Sequence, residues 1–291
     1  MFQKIQHILL YVFIFLCGFP VYPWGFKAHR QINQDALTLV APGLRQFFTA
    51  YSDSIVNKAV EPDTRKKTHP EEYPRHFLDI DKYGEYPVFS LPHMYNNAAA
   101  QYGEETLEKN GTLPWWINWS VDSLTVAMRS RNLPGILHWA AFLGHYVADA
   151  HQPLHAIKNY DGQLTGNKGI HRRYETAMVD HYFDQYHFHP VAVDTISSPL
   201  DAAFAIIKES YLLSPIIIQA DDIATCGMSQ EDIEALHQHY DLTRDSVYFS
   251  RLYEQLGTFT WNRLSLASSR LALFWNYAWE QAGRPDLSNL K

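Results

Sequence analysis

Two short stretches of the chain carry residue types that could hold a metal. His145 and Asp149 lie four residues apart in an apolar run, so on a helix both side chains project from one face. His155 follows just after Pro153, where a rigid turn lets a side chain reach back toward the same cavity. His171 and Glu175 repeat the four-residue spacing with the same pairing of imidazole and carboxylate. Both groups are ordinary zinc ligands. One such pair alone reads equally as a hydrogen-bonded surface or core pair, since polar residues at this spacing are common on helices. Two pairs on two helices joined by a loop resemble the way helix bundles build metal sites. Upstream, Asp63 and His76 flank a proline-rich loop, and His29 opens the first helix. With Trp24, the ordered set is Trp24, His29, Asp63, His76, His145, Asp149, His155, His171 and Glu175. It is large enough for more than one zinc, because a catalytic zinc takes about three protein ligands plus water. His138 and His151 read as structural or supporting neighbours rather than ligands.

The elements that must position these residues read as helices. His29 to Leu39 carries Ile32, Ala36 and Leu39 at helical spacing, and Pro42-Gly43 breaks it. Residues 61–83 read as an ordered loop with a short extended piece, and a helical stretch is expected within 84–113. Pro134 opens the clearest helix, with Ile136, Leu137, Ala140, Leu143, Tyr146 and Val147 along it, and Pro153 ends it. A glycine-bearing loop, Asp161 to Gly169, leads to a second helix near His171. From about Asp245 to Gln281 the chain reads as a long aromatic-rich helical region with one break. Strand-like alternation is scarce, so the expected fold is all-α, a single helical domain over residues 24–291.

The bulk numbers agree with a folded enzyme. Of 291 residues, 46% are hydrophobic and 14% aromatic, which excludes a disordered class. The net charge of −7 counts against tight, general binding to a nucleic-acid backbone, although bound zinc adds positive charge that the count omits. Lys4 followed by the apolar run from Ile8 to Phe19 reads as a secretory signal over residues 1–23, too short for a membrane span. An uncleaved membrane anchor is the alternative. The expected location is exported, periplasmic or secreted. Cys17 lies in that segment, leaving Cys226 without an internal disulfide partner in the mature chain.

The sequence resembles the zinc-dependent phospholipase C and S1/P1 nuclease superfamily. The likeness is carried by Trp24-Gly-Phe-Lys-Ala-His29, Glu61-Pro-Asp63, His76-Phe-Leu-Asp79, His145-x3-Asp149-x-His-Gln-Pro-Leu-His155 and Asp161-Gly-x3-Gly-Asn-x-Gly-Ile-His171-x3-Glu175, with Ala267 to Asn276 resembling the last helix. It implies an all-helical fold with a trinuclear zinc site. Carried over by motif, one zinc takes Asp63, His76, His145 and Asp149, and a second takes His155, His171 and Glu175. The third takes His29, a shared Asp149, and the α-amine and carbonyl of Trp24. That last ligand requires cleavage directly before Trp24, and Pro23 is a poor residue before such a cut.

The resemblance also implies roles. Asp63 would orient or deprotonate the attacking water, and Lys66 or Arg65 would neutralise charge on the transition state. The run Arg65-Lys66-Lys67 reads otherwise as solvated charge. Phe77 would stack on a base and Asp79 would hydrogen-bond it; the plain alternative is a core ring and a turn cap. The leading functional expectation is an endonuclease acting on single-stranded DNA or RNA, with 3′-nucleotides as further substrates. The alternative is a phospholipase C acting on phospholipid head groups, favoured by Glu175 where the nucleases usually carry Asp. A zinc-binding protein without turnover is a third reading.

Overall fold

A helix whose C-terminal half is fully buried forms the centre of the fold. The computed structural model describes residues 25–86 and 88–290, so the expected signal segment and Trp24 lie outside the described residues. Among the described residues the chain forms thirteen α-helical segments and one minimal hairpin. The helices of the first half are α1 (Phe26–Ala36), α2 (Pro42–Ala50), α3 (Ser52–Lys58), α4 (Glu61–Arg65), α5 (Tyr95–Tyr102), α6 (Glu104–Asn110), α7 (Leu113–Arg129) and α8 (Leu133–Ala150). The second half adds the short α9 (Ile170–Arg172) and α10 (Val179–His181), then α11 (Pro199–Thr225), α12 (Gln230–Gln238) and α13 (Ser246–Gln281). No described helix is long and apolar enough to cross a membrane. The all-α architecture expected from the sequence is the one found.

α8 explains the arrangement. Pro134 occupies its first turn, and the Asn132 side chain caps it by accepting from the Gly135 amide at 3.2 Å. Every residue from Ala140 to Ala150 is buried. A helix apolar on all sides has to be surrounded, and α8 packs against α7, α1, α3, α11 and α13. α13 runs alongside, and its Trp275 indole donates to the Ala140 carbonyl at 3.1 Å. The break expected in this region is absent: Ser246–Gln281 is one continuous helix of 36 residues. It contains no proline, and its central Gly257 is covered by the Tyr253 ring, so packing holds it helical.

Two further differences from expectation have local causes. Residues 61–65 are helical rather than looped, since Pro62 suits a first turn and Glu61 and Asp63 favour the positive helix start. Residues 70–76 and 80–83 follow as 3₁₀ turns, and the extended piece is displaced to Gly84–Glu85, paired antiparallel with Val88–Phe89. Residues 199–225, which lack a clear apolar period, form the long α11. Pro215 inside it cannot donate to the Tyr211 carbonyl, and the Ser214 hydroxyl donates there instead at 2.8 Å.

α1 and α8 meet at Gly144. A β-carbon there would stand 2.2 Å from the Asn33 side-chain oxygen, and Asn33 is itself fully buried and bonded to the His29 carbonyl. Gly144→Ala is therefore expected to destabilise the fold by about 1–3 kcal/mol through overpacking. Denaturant unfolding measures this; an unchanged midpoint would show that α1 can move away freely.

Candidate metal centre

His145 and Asp149 leave the same face of α8 one turn apart, both fully buried. The His145 ring is oriented from outside the helix. Its Nδ1 lies 2.8 Å from the Ala59 carbonyl at the end of α3, which requires a proton on Nδ1 and leaves the Nε2 lone pair pointing inward. That Nε2 stands 3.0 Å from His76 Nδ1, 3.2 Å from Asp149 Oδ2 and 3.6 Å from Asp63 Oδ1. His76 Nδ1 is in turn 2.9 Å from Asp149 Oδ2 and 3.7 Å from Asp63 Oδ1. His29, from α1, stacks on His145 with ring centres 3.9 Å apart and brings its Nε2 within 3.6 Å of Asp149 Oδ1.

Asp149 faces two ways. Oδ2 meets His76 and His145, while Oδ1 faces His29 and also His155 Nδ1 at 3.6 Å. His155 then leads to the other cluster: its Nε2 is 3.1 Å from His171 Nε2, and His171 Nε2 is 2.9 Å from Glu175 Oε2. The helix expected near His171 is present but is not regular. α9 passes into a π-helical turn, Arg173–Met178, that carries Glu175 and leads into α10. Such turns are rare and concentrate at functional sites.

The donor set fits zinc. Three groups of ligand atoms lie close enough to surround an ion: His29, His145 and Asp149; Asp63, His76 and His145; His155, His171 and Glu175. Imidazole nitrogens approach each other at 3.0 and 3.1 Å. Two ligands of a tetrahedral zinc, bonded at about 2.0–2.1 Å, sit roughly 3.3 Å apart. Asp149 Oδ1 and Glu175 Oε1 are buried with no hydrogen-bond partner among the described residues. An ionised oxygen so placed is costly unless a cation meets it. Burial pushes the Asp149 carboxyl up to about 8 against the pull of His155 and Lys66, and Asp63 up to about 6 against His145 and Lys66. Burial also holds His76 well below, and His145 below, the ordinary imidazole range, which keeps both neutral as metal ligation requires. Glu175 differs: burial would raise it, but His171 and hydrogen bonds from His155 and His171 hold it down to about 2.

The remaining residues singled out in the sequence fall at the rim or in support. Lys66 is not part of a solvated run; its ammonium lies 2.8 Å from Asp63 Oδ1. Arg65 turns away toward Glu72, at 3.3 Å. Phe77 and Asp79 are half-buried beside the ligands, on a segment tied down on both sides: Leu78 N donates to His155 O at 2.9 Å and Asp79 N to Asn110 O at 2.8 Å. Gly111, with φ of 94°, lets the chain pass against the Phe77 carbonyl, where a β-carbon would come within 2.1 Å. Burial, with like charge from Asp81, pushes Asp79 up to about 7. His138 packs on Phe142, and His151 is held between the Val147 carbonyl and Arg270, so neither joins the ligand groups. A cavity of about 540 Å³ bordered by Ile196, Asp201, Arg270 and Phe274 includes none of the ligands.

Three supporting residues went unread in the sequence. Gln152 donates to Glu175 Oε2 at 2.6 Å while its own oxygen accepts from Leu154 N at 2.6 Å, bracing Glu175 against the turn that carries His155. Glu72 lies one turn before His76, a spacing that signals contact, but nothing in sequence marked it as buried. Arg173, fully buried, meets Asp221 at 3.0 Å, Tyr248 at 2.8 Å and the Lys168 carbonyl at 2.6 Å. It clamps the glycine loop and the turn bearing Glu175 onto α11 and α13. Arg173→Ala strands the Asp221 charge and is expected to cost about 3–5 kcal/mol. Urea unfolding of the variant tests this, and a loss below about 1 kcal/mol, the scale of a surface pair, would refute the clamp.

Comparison with known proteins adds the family. Over 197 residues, or 62% of this chain, it is 22% identical to a protein of Bradyrhizobium tropiciagri named a probable serine protease. The chain matches only 25% of the length of that relative. Residues 24–279, nearly all of the sequence after the apolar N-terminal run, match the S1/P1 nuclease family. The interlocked groups of buried histidines and carboxylates and the all-helical frame agree with that match, and the chain belongs to the S1/P1 nuclease family, whose members are zinc enzymes that hydrolyse phosphodiester bonds.

Proposed function

We propose that this protein is an exported zinc-dependent endonuclease acting on single-stranded DNA or RNA, with residues 24–291 as its catalytic domain and 3′-nucleotides as further substrates. The observation that supports it most is Asp149, whose two oxygens link the His76–His145 side of the centre to the His29 and His155 side. One zinc would be held by Asp63, His76, His145 and Asp149, and a second by His155, His171 and Glu175. A third would be held by His29, Asp149 and a processed Trp24. When bound, zinc supplies Lewis acidity that brings water within reach of deprotonation near neutral pH.

The chain's own groups do the rest. Asp63 orients the attacking water and can take its proton. Lys66, 2.8 Å from that carboxylate, offers positive charge to the phosphoryl oxygens as negative charge grows on them. Phe77 presents a ring on which any unpaired base can stack, and Asp79 meets the base edge. The name of the Bradyrhizobium relative does not transfer as an activity, since the chain matches only 25% of that protein's length at 22% identity.

Phospholipase C activity is the second reading, favoured by Glu175 and the acidic net charge. A panel of single-stranded DNA, RNA, 3′-nucleotides and phosphatidylcholine decides between them, using mature protein with and without chelator. The expected result is cleavage of single strands, abolished by chelation and restored by zinc, and lost in Asp63→Asn with the fold retained. Hydrolysis of lipid alone, or full activity in metal-free protein, would overturn the proposal.

Asp79 adds a pH dependence. A carboxyl raised to about 7 in the fold is ionised more readily when unfolded, so its contribution to stability falls as pH rises from about 4 to about 7 and is flat above. Below about 7 it offers a base a donor, and above that only acceptors. Asp79→Asn is expected to remove the change in KM between pH 6 and 8 while leaving zinc content intact. A variant whose KM profile matches the native one would refute this role.

A further inference from the structure

Glu72 is fully buried, yet it is not in any of the ligand groups. It sits one turn before His76 in the 3₁₀ turn Pro70–His76. Its Oε1 accepts from the Tyr146 hydroxyl at 2.5 Å, and its Oε2 meets Arg75 at 2.9 Å and Arg65 at 3.3 Å. Both arginines are fixed in turn, Arg75 over the Trp116 ring at 3.7 Å and Arg65 over Phe142 at 5.6 Å. Tyr146 comes from α8, one residue after His145. The carboxylate thus joins the helix that carries two candidate ligands to the turn that carries a third.

The imidazole of His76 uses its two nitrogens differently. Nδ1 faces Asp149 Oδ2 at 2.9 Å and His145 Nε2 at 3.0 Å, inside the centre. Nε2 is buried, has no hydrogen-bond partner among the described residues, and faces Glu72 Oε1 at 3.8 Å. A carboxylate on the far side of a metal-bound imidazole fixes which nitrogen carries the proton and strengthens the other as a ligand. We infer that Glu72 is a positioning residue that holds His76 with its proton on Nε2 and its Nδ1 lone pair directed at the metal position shared with Asp63, His145 and Asp149. Arg65 and Arg75, at 3.3 and 2.9 Å from its Oε2, offset the cost of burying this side chain. The inference rests on the zinc reading proposed above.

The test is metal binding rather than turnover. Glu72→Gln keeps the shape and the hydrogen bond with Tyr146 but removes the charge. In zinc-buffered dialysis with metal analysis, the variant is expected to bind the zinc of Asp63, His76, His145 and Asp149 about 10–100-fold less tightly than the native chain. The zinc held by His155, His171 and Glu175 should be unaffected, and metal-free protein should melt at close to the native temperature. Native zinc affinity in the variant, or an affinity loss at all sites in step with a lower melting temperature of the metal-free protein, would overturn the inference and leave Glu72 a structural residue. A second measurement reads the tautomer in the native protein, with a variant used only for assignment. In ¹⁵N–¹H spectra of zinc-loaded native protein, the resonance removed by His76→Gln should show the Nε2-protonated tautomer, and the Nδ1-protonated form would overturn the inference. Absence of zinc binding by the native chain would instead overturn the proposed function and this inference with it.

Discussion

The structure depends on keeping several carboxylates in its interior. Asp63, Asp149, Glu175 and Glu72 are all buried within one connected network of imidazoles. Removing a carboxylate from water costs several kcal/mol before compensation. The nearest fixed cations are few: Lys66 at Asp63, and Arg65 and Arg75 at Glu72. Asp149 and Glu175 contact no lysine or arginine in this network, and Asp149 is correspondingly pushed toward its neutral form. Divalent cations are the compensation that such a donor set is built to receive, and the family to which the chain belongs uses zinc.

That electrostatic cost explains how rigidly the ligands are held. Several are positioned from behind by a group that does not touch the metal position. The Ala59 carbonyl orients His145, Gln152 braces Glu175, Glu72 faces the outer nitrogen of His76, and the Arg173–Asp221–Tyr248 network fixes the loop before His171. The supports come from α3, the turn after α8, the 70–76 turn, α11 and α13, so nearly every layer of the fold contributes. A loosely packed bundle could bring the same ligands near one another but could not hold them at the tenths of an ångström on which metal affinity depends.

The rim is built differently. Phe77 and Asp79 lie on a segment bonded to both the His155 turn and the start of α7, so under the proposed role a base stacked there would be registered against the buried centre. Stacking and a single carboxylate recognise a base without reading a sequence. Together with an overall charge of −7, those proposed roles would suit an enzyme whose hold on its substrate is local to the site rather than spread along a phosphate backbone.

The amino-acid sequence alone determined the helical class, the central helix and which histidines and carboxylates are candidate ligands. α8 was legible because its apolar residues recur at helical period between two prolines, and four-residue spacing puts His145 with Asp149 and His171 with Glu175 by helix geometry alone. Local pattern misjudged α4, the extended piece and the continuity of α13, and left α11 unread. Those outcomes turn on tertiary packing, such as the Tyr253 ring over Gly257 and the Ser214 hydroxyl that answers Pro215. Only the tertiary structure decided that Lys66 points inward while Arg65 does not, that Asp149 faces two clusters at once, and that Glu72 is buried behind His76. The physical reason is distance along the chain. Spacing of three or four residues is set by one helix, whereas His76 meets Asp149 across 73 residues and Arg173 meets Tyr248 across 75. Contacts of that kind are settled by how whole helices pack, which no local pattern encodes.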